Sequence, residues 1–218
     1  MFIYYRMYIF VFWTGTNQLT KNRKRCLLKL IKKTGVKIKL ITPNNLHKYI
    51  LKDFPLHPAY QYLSLVHKAD YLRTYFMHHY GGGYSDIKEP TGNWIQSFYK
   101  LRYSNYWIIG YRESKYGVGV HELQDKWQDL IGNGAYICKP KTPFTTEWYN
   151  ELHKILDNKL EQLQLHPAKE SRDWKGKNGS KYPLEWNEIL GRIFHKLCYK
   201  YKDKIINTLP HPYYGNYQ

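Results

Sequence analysis

The chain has 218 residues, 43% of them hydrophobic, enough to bury a sizeable core, and it reads as one domain over residues 1–218. Its three cysteines, Cys26, Cys138 and Cys198, have neither metal-ligand nor redox spacing. That excludes a disulfide or zinc scaffold and fits reduced thiols in a cytosol-like compartment. A formal net charge of +17 and an aromatic share of 17% suit an anionic partner (nucleic acid, an anionic membrane surface or a phosphorylated substrate) and stacking on sugars or bases.

In chain order, the first element is the continuous apolar run Tyr8 to Trp13, a buried strand closed by Thr14-Gly15-Thr16-Asn17. The apolar opening is far shorter than the ~20 residues a membrane span needs, and no small-residue cleavage site follows it. Neither a transmembrane helix nor a signal peptide is expected, and the location implied is cytoplasmic. Thr20 to Lys33 places Cys26, Leu27, Leu30 and Ile31 at helical spacing on a basic helix. Thr34-Gly35 stops it, and Val36 to Thr42 alternates as a second strand. This strand–helix–strand opening predicts an α/β fold with a central mixed, mostly parallel sheet flanked by helices.

Ala59 to Tyr80 reads as a long amphipathic helix ended by Gly81-Gly82-Gly83, with a short strand over Tyr84 to Ile87. Further strands are expected at Tyr106 to Tyr111, Gly134 to Cys138 and Ile205 to Leu209. Helices are expected over Pro143 to Leu165 and Leu184 to Tyr201, separated by the polar, turn-rich stretch Lys169 to Lys181. No internal repeat or dividing linker interrupts the chain. Its lysines fall in dispersed clusters (Lys21 to Lys33, Lys37 to Lys39, Lys196 to Lys204) and form no tail.

One stretch concentrates chemistry: His67-Lys68-Ala69-Asp70-Tyr71-Leu72-Arg73, continuing through Tyr80-Gly81-Gly82-Gly83-Tyr84-Ser85-Asp86-Ile87-Lys88. Asp70 and Arg73 are three apart on a helix and so share a face. A carboxylate there accepts hydrogen bonds from sugar hydroxyls, and a guanidinium offers a planar fork of donors to hydroxyls or a diphosphate. Asp86 follows the glycines at the end of a strand, where open α/β sheets bind ligands. A carboxylate in that place suits Mg²⁺ or Mn²⁺ bridging phosphates. Adjacent His78 and His79 point about 100° apart on a helix and cannot easily share an ion, so a structural role is expected.

The block resembles the sugar-binding region of DXD-containing glycosyltransferases of the GT-A fold, the capsular-polysaccharide and mannosyltransferase-like group. The matching residues are Lys68-Ala69-Asp70 with Arg73, Tyr80-Gly81-Gly82, and Tyr84-Ser85-Asp86-Ile87-Lys88. Phe12-Trp13-Thr14-Gly15 is similar to that fold's base-receiving strand end, and Asn133-Gly134-Ala135-Tyr136 to its strand beside the donor sugar. Tyr182-Pro183-Leu184-Glu185-Trp186 looks like an acceptor-side segment. In compact size and layout the chain also resembles the small capsid-glycan transferases of large algal viruses, which would place it in host cytoplasm.

The resemblance implies a single Rossmann-like GT-A domain that moves a sugar from a nucleotide-diphosphate donor, UDP-linked, to a glycan or lipid-linked saccharide. Donor-binding residues would be Trp13, Thr14, Gly15, Asp70, Arg73, Gly82, Gly83, Ser85 and Asn133. Asp86, with His211 as second ligand, would hold Mn²⁺ or Mg²⁺. Lys88 departs from the motif, which has an acid there. Either the ion takes Asp86 plus a residue from elsewhere, or the Lys88 ammonium itself neutralises the diphosphate. The sequence does not choose a base among Glu185, Glu188, Asp125 and Asp129; Glu185 stands with Asp86 and Lys88 among the catalytic candidates. Tyr213, Tyr214 and Tyr217 either close over the donor or pin the terminus. The basic surface is compatible with peripheral membrane contact, and no nucleic-acid partner is expected. The alternatives are a basic nucleic-acid-binding module and a catalytically degenerate sugar-nucleotide binder with Lys88 as the lesion.

Overall fold

The structure is a computed structural model describing residues 7–215, so Tyr217 lies outside the described residues. Strand β1 (Tyr8–Phe12) sends Ile9 and Val11 to one half of the core and Phe10 and Phe12 to the other, as the two-residue period of a strand requires. Helix α1 (Lys21–Lys33) starts at Thr20, whose hydroxyl accepts from the Arg23 amide, and returns the chain to β2 (Lys37–Ile41), parallel to β1. The short helix α2 (Pro43–Leu46) and two 3-10 turns precede α3 (Leu65–His79). From α3 the chain enters β3 (Gly82–Ser85), parallel to β1 on its other side. There follow β4 (Glu89–Pro90), α4 (Ile95–Tyr103), β5 (Ile108–Arg112), β6 (Ile131–Cys138), α5 (Pro143–Leu165), α6 (Gly191–Lys200), β7 (Ile205–Ile206) and β8 (Pro212–Tyr213).

The main sheet has the order β2-β1-β3-β6-β5-β7, with β6 antiparallel to the other five strands. It is the mixed, mostly parallel α/β sheet expected from the sequence. Cys26 and Leu30 of α1 and Phe98 and Leu101 of α4 cover one face. Phe76 of α3, Trp148 of α5 and Phe194 of α6 belong to the core on the other face. Trp148 is fully buried against Tyr136, Phe144 and Phe194, and its truncation to alanine costs about 3–5 kcal/mol. The ribbon β4–β8 ties the C-terminal segment to the chain just after β3.

Several boundaries differ from the sequence reading. The helix expected from Ala59 is broken at Leu63-Ser64: residues Pro58–Tyr62 form a 3-10 turn, and Ser64 caps α3 by accepting from the His67 amide. The strand expected from Tyr84 begins two residues earlier, so the glycines are only partly a helix stop. Gly81 and Gly82 take positive φ (63° and 87°) to turn the chain. Gly83 then lies so close to Ile9, Phe98 and Trp94 that a Cβ would clash with Ile9 at 2.9 Å. The last long helix begins at Gly191 rather than Leu184, because Tyr182 to Leu190 packs without helical backbone and buries Leu184 and Ile189. Helix α4 and the β4–β8 ribbon were not expected, and the final strand shortens to two residues. Among the described residues no helix is long and apolar enough to cross a membrane.

Candidate functional site

A cavity of about 490 Å³ opens where β1 and β3 end, the place where open α/β sheets bind ligands. Trp13, Thr14 and Gly15 after β1 form one wall, and Asp70 and Arg73 of α3 form the floor with Tyr84, Asp86 and Lys88. Asn133 of β6 reaches the same space because β6 runs antiparallel and brings its first half to this end. The far wall comes from Ser171, Arg172, Trp186, Asn187, Leu190 and Gly191. The first wall is fastened by the Trp13 indole, which donates to the Asn17 carbonyl at 2.6 Å, and by the Thr14 hydroxyl, which donates to the Leu65 carbonyl at 2.6 Å.

The floor is a chain of alternating charges. Arg73 Nη2 lies 3.0 Å from Asp70 Oδ1 and 3.6 Å from Asp86 Oδ1, and Arg73 Nη1 donates to the Asn133 carbonyl at 2.8 Å. Its guanidinium also sits 4.4 Å from the Tyr84 ring centre. Asp86 Oδ1 takes the Tyr84 hydroxyl, and Asp86 Oδ2 takes the Lys88 ammonium at 2.8 Å. The backbone prepares that last contact. The Asp86 amide donates to the Gly134 carbonyl at 2.8 Å, and the Lys88 amide donates back to the Asp86 carbonyl at 2.7 Å. This tight three-residue turn folds Lys88 over its own aspartate.

Burial acts differently on the two carboxylates. It raises Asp70 above the usual carboxylate range despite Arg73 and His67 nearby. Burial opposes ionisation of Asp86 too, but Lys88 and Arg73 outweigh it and hold its pKa at about 2. Arg73 stays charged: burial opposes this, and Tyr84, Asp70 and Asp86 more than compensate. Behind the lining, the fully buried His67 positions the far wall. The Trp186 carbonyl, 3.3 Å from His67 Nε2, can only accept, so Nε2 carries the proton and Nδ1 accepts from the Tyr182 hydroxyl at 2.9 Å. Burial lowers the His67 pKa, consistent with this neutral form. Trp186 is 40% exposed, stands edge-on to Trp174 at 5.0 Å and lies under the Arg172 guanidinium at 5.2 Å.

Of the residues singled out in the sequence, Trp13, Thr14, Gly15, Asp70, Arg73, Asp86, Lys88 and Asn133 meet on this one cavity. Five candidates lie elsewhere. Gly82 and Gly83 are buried in the sheet, paired with Cys138 and Ile137, and Ser85 donates to the Asp86 carbonyl from a buried position. Glu185 is half-exposed and paired with Arg192. His211 donates from Nδ1 to the Pro212 carbonyl at 2.8 Å and packs edge-on against Tyr111 at 4.5 Å. The other acids considered as bases are also off the wall. Glu188 pairs with Lys159 at 2.7 Å and Asp125 with Lys115 at 3.5 Å, and Asp129 is exposed. Sequence reading missed Arg23, Asn17, Arg172 and Asn187. Arg23 had a signal, since it lies one turn into a helix that follows β1 and reaches the strand end, donating to the Ile87 carbonyl at 2.9 Å.

The divalent ion implied by the resemblance does not fit this arrangement. Both Asp86 oxygens already accept hydrogen bonds, one of them from a cation, and Arg73 stands 3.6 Å away. Like unit charges about 4 Å apart repel by roughly 4 kcal/mol at an effective dielectric near 20, and a divalent ion doubles that. Among the described residues no group of three or more His, Cys, Asp or Glu comes together as a metal site. The cavity wall instead carries four cationic side chains, Arg23, Arg73, Lys88 and Arg172, against the two carboxylates.

No family model matches the chain, and no curated protein matches it. Among solved structures it is similar to one titled PaToxG Glycosyltransferase, with a TM-score of 0.53 and 11% identity, over 89% of this chain and 69% of that one. The chain therefore shares its α/β fold with a glycosyltransferase.

Proposed function

We propose that the chain is a glycosyltransferase of the GT-A, DXD-related group, binding a nucleotide-diphosphate sugar, in the UDP class, in the cavity at the ends of β1 and β3. The observation that carries this reading is the convergence of Asp70, Arg73, Asp86 and Lys88 with Trp13-Thr14-Gly15 on one cavity, in a chain with a glycosyltransferase's fold. The Trp13 ring, tethered by its indole N–H, takes the base. Asp70 accepts from sugar hydroxyls, and the cations face the diphosphate. The far wall, with Trp186 and Arg172, receives a glycan or lipid-linked saccharide acceptor.

In the transfer, the acceptor hydroxyl oxygen bonds to the anomeric carbon. The bond from that carbon to the diphosphate breaks, leaving its electron pair on the diphosphate, and fixed positive charge stabilises the departing oxygen. Asp70 and Asp86 are the carboxylates of the wall and both face Arg73. The hydroxyl proton passes to a base, either a carboxylate of the wall or the departing phosphate oxygen itself. A thermal-shift panel of UDP-, GDP- and CMP-linked sugars tests the reading. Stabilisation by the UDP class is expected, and no stabilisation by any of them, with steeply salt-dependent RNA or DNA binding in its place, would refute it.

A further inference from the structure

We propose that Lys88 is a built-in replacement for the divalent ion: its ammonium faces the donor diphosphate, and the cavity binds a nucleotide diphosphate without metal. This rests on the nucleotide-sugar reading above. Lys88 is on the cavity wall yet only 7% exposed, which is unusual for a lysine and requires a specific seat. Contacts on several sides make that seat. Its amide closes the turn onto the Asp86 carbonyl, its ammonium lies 2.8 Å from Asp86 Oδ2, and the Tyr214 ring centre lies 3.9 Å from the same nitrogen.

The seat is braced from the C-terminal side. β8 pairs with β4 directly after Lys88, and the Tyr214 hydroxyl is hydrogen-bonded to that of Tyr111 at 2.5 Å. The C-terminal tyrosine thus holds the lysine in place rather than lying among the cavity residues. With Lys88 neutralising Asp86, and Arg73 shared between Asp86 and Asp70, the floor is balanced in charge. Arg172 on the far wall adds a further cation to this balanced floor, as an anionic diphosphate needs and a dication does not. Lys88 is a binding residue for the leaving group, and its role is separate from that of Asp70 at the sugar.

The test is calorimetric titration of the full chain and of the Lys88→Met and Lys88→Arg variants with UDP and with GDP, each in EDTA and in Mn²⁺. The wild type is expected to bind one of the nucleotides with affinities equal within about twofold in the two buffers, and Lys88→Met to lose about tenfold or more in both. Lys88→Arg keeps the charge and is expected to retain more of the affinity than Lys88→Met, which separates loss of charge from loss of fold. Nucleotide binding by the wild type only in Mn²⁺, or Lys88→Met binding as well as wild type, would overturn the assignment and leave the nucleotide-sugar reading standing. Binding of neither nucleotide in either buffer would overturn both.

Discussion

Helix α3 buries polar side chains in both its halves, by opposite means. In the first half Asp70 and Arg73 are buried as charges, each with a counter-charge within 4 Å. In the second half His78 and His79 are half-buried neutral rings with ring nitrogens held out of water. His78 stacks on Tyr149 at 4.7 Å, His79 lies 4.4 Å from Tyr75, and His153 from α5 lies 4.1 Å from Tyr149. Burial first, then neighbouring His78, Lys141 and His153, lowers the His79 pKa to about 4; burial and His57 lower His153 to about 4. Charge is retained on the cavity floor and absent beside Tyr75 and Tyr149. Under the proposed reading the charged pair is kept for a ligand, since a pair used only for packing is matched or bettered by apolar groups.

The largest effect should come from breaking the charged half. Arg73→Met leaves Asp70 and Asp86 without their shared cation, and the expected result is about 3–5 kcal/mol lost in denaturant unfolding together with loss of nucleotide binding. Arg73→Lys should restore neither fully, because an ammonium cannot span both carboxylates and the Asn133 carbonyl as the planar fork does.

Acid should find the neutral half first. The depressed histidines take up protons more readily unfolded than folded, so their contribution is full above pH ~6.5 and is lost as pH falls toward about 4. Asp86, held at about 2, contributes fully above its ordinary value and loses that contribution only below it, in a separate and lower window. Melting temperature should therefore fall by several degrees between pH 7 and pH 4, and His79→Phe should flatten that slope. An unchanged slope in the variant would remove His79 as the cause.

At the mouth the effects are smaller and selective. Trp186→Ala removes a half-exposed ring packed on Trp174 and Arg172, so stability should fall by about 1 kcal/mol and donor binding should stay as it was. Transfer to saccharide acceptors should weaken in the same variant, read as a raised acceptor KM. The smallest effect is expected at Glu185. Glu185→Gln, away from the cavity and paired with Arg192, should leave the transfer rate within about twofold of wild type, whereas loss of a true general base costs about a hundredfold or more.

The charged half of the site was legible in the sequence because local rules determine it. Three-residue spacing puts Asp70 and Arg73 on one helix face, and a strand after a glycine turn puts Asp86 at a strand end. The far wall was not. Arg172 comes from the turn-rich stretch, and Asn187 and Leu190 from a segment that reads as helix but is not; their paths are fixed by distant contacts, such as the Val66 amide donating to the Ser171 carbonyl and His67 reaching the Trp186 carbonyl. Only Trp186 on that wall had a signal, through the acceptor-side resemblance. Gly82 and Gly83 were misplaced because a glycine needed for close sheet packing reads the same as one needed for ligand approach. His211 lies beside the β4–β8 ribbon, whose two-residue strands carry no periodic signal.

In the proposed reading this cavity holds a sugar through Asp70 and its nucleotide diphosphate through the neighbouring cations. Calorimetric affinities of UDP and of UDP-linked sugars for wild type and Asp70→Asn test it most directly. The wild type should bind both, and the variant should lose more affinity for the sugar nucleotide than for UDP alone. Equal losses for the two ligands, or an unchanged affinity for the sugar nucleotide, would contradict it.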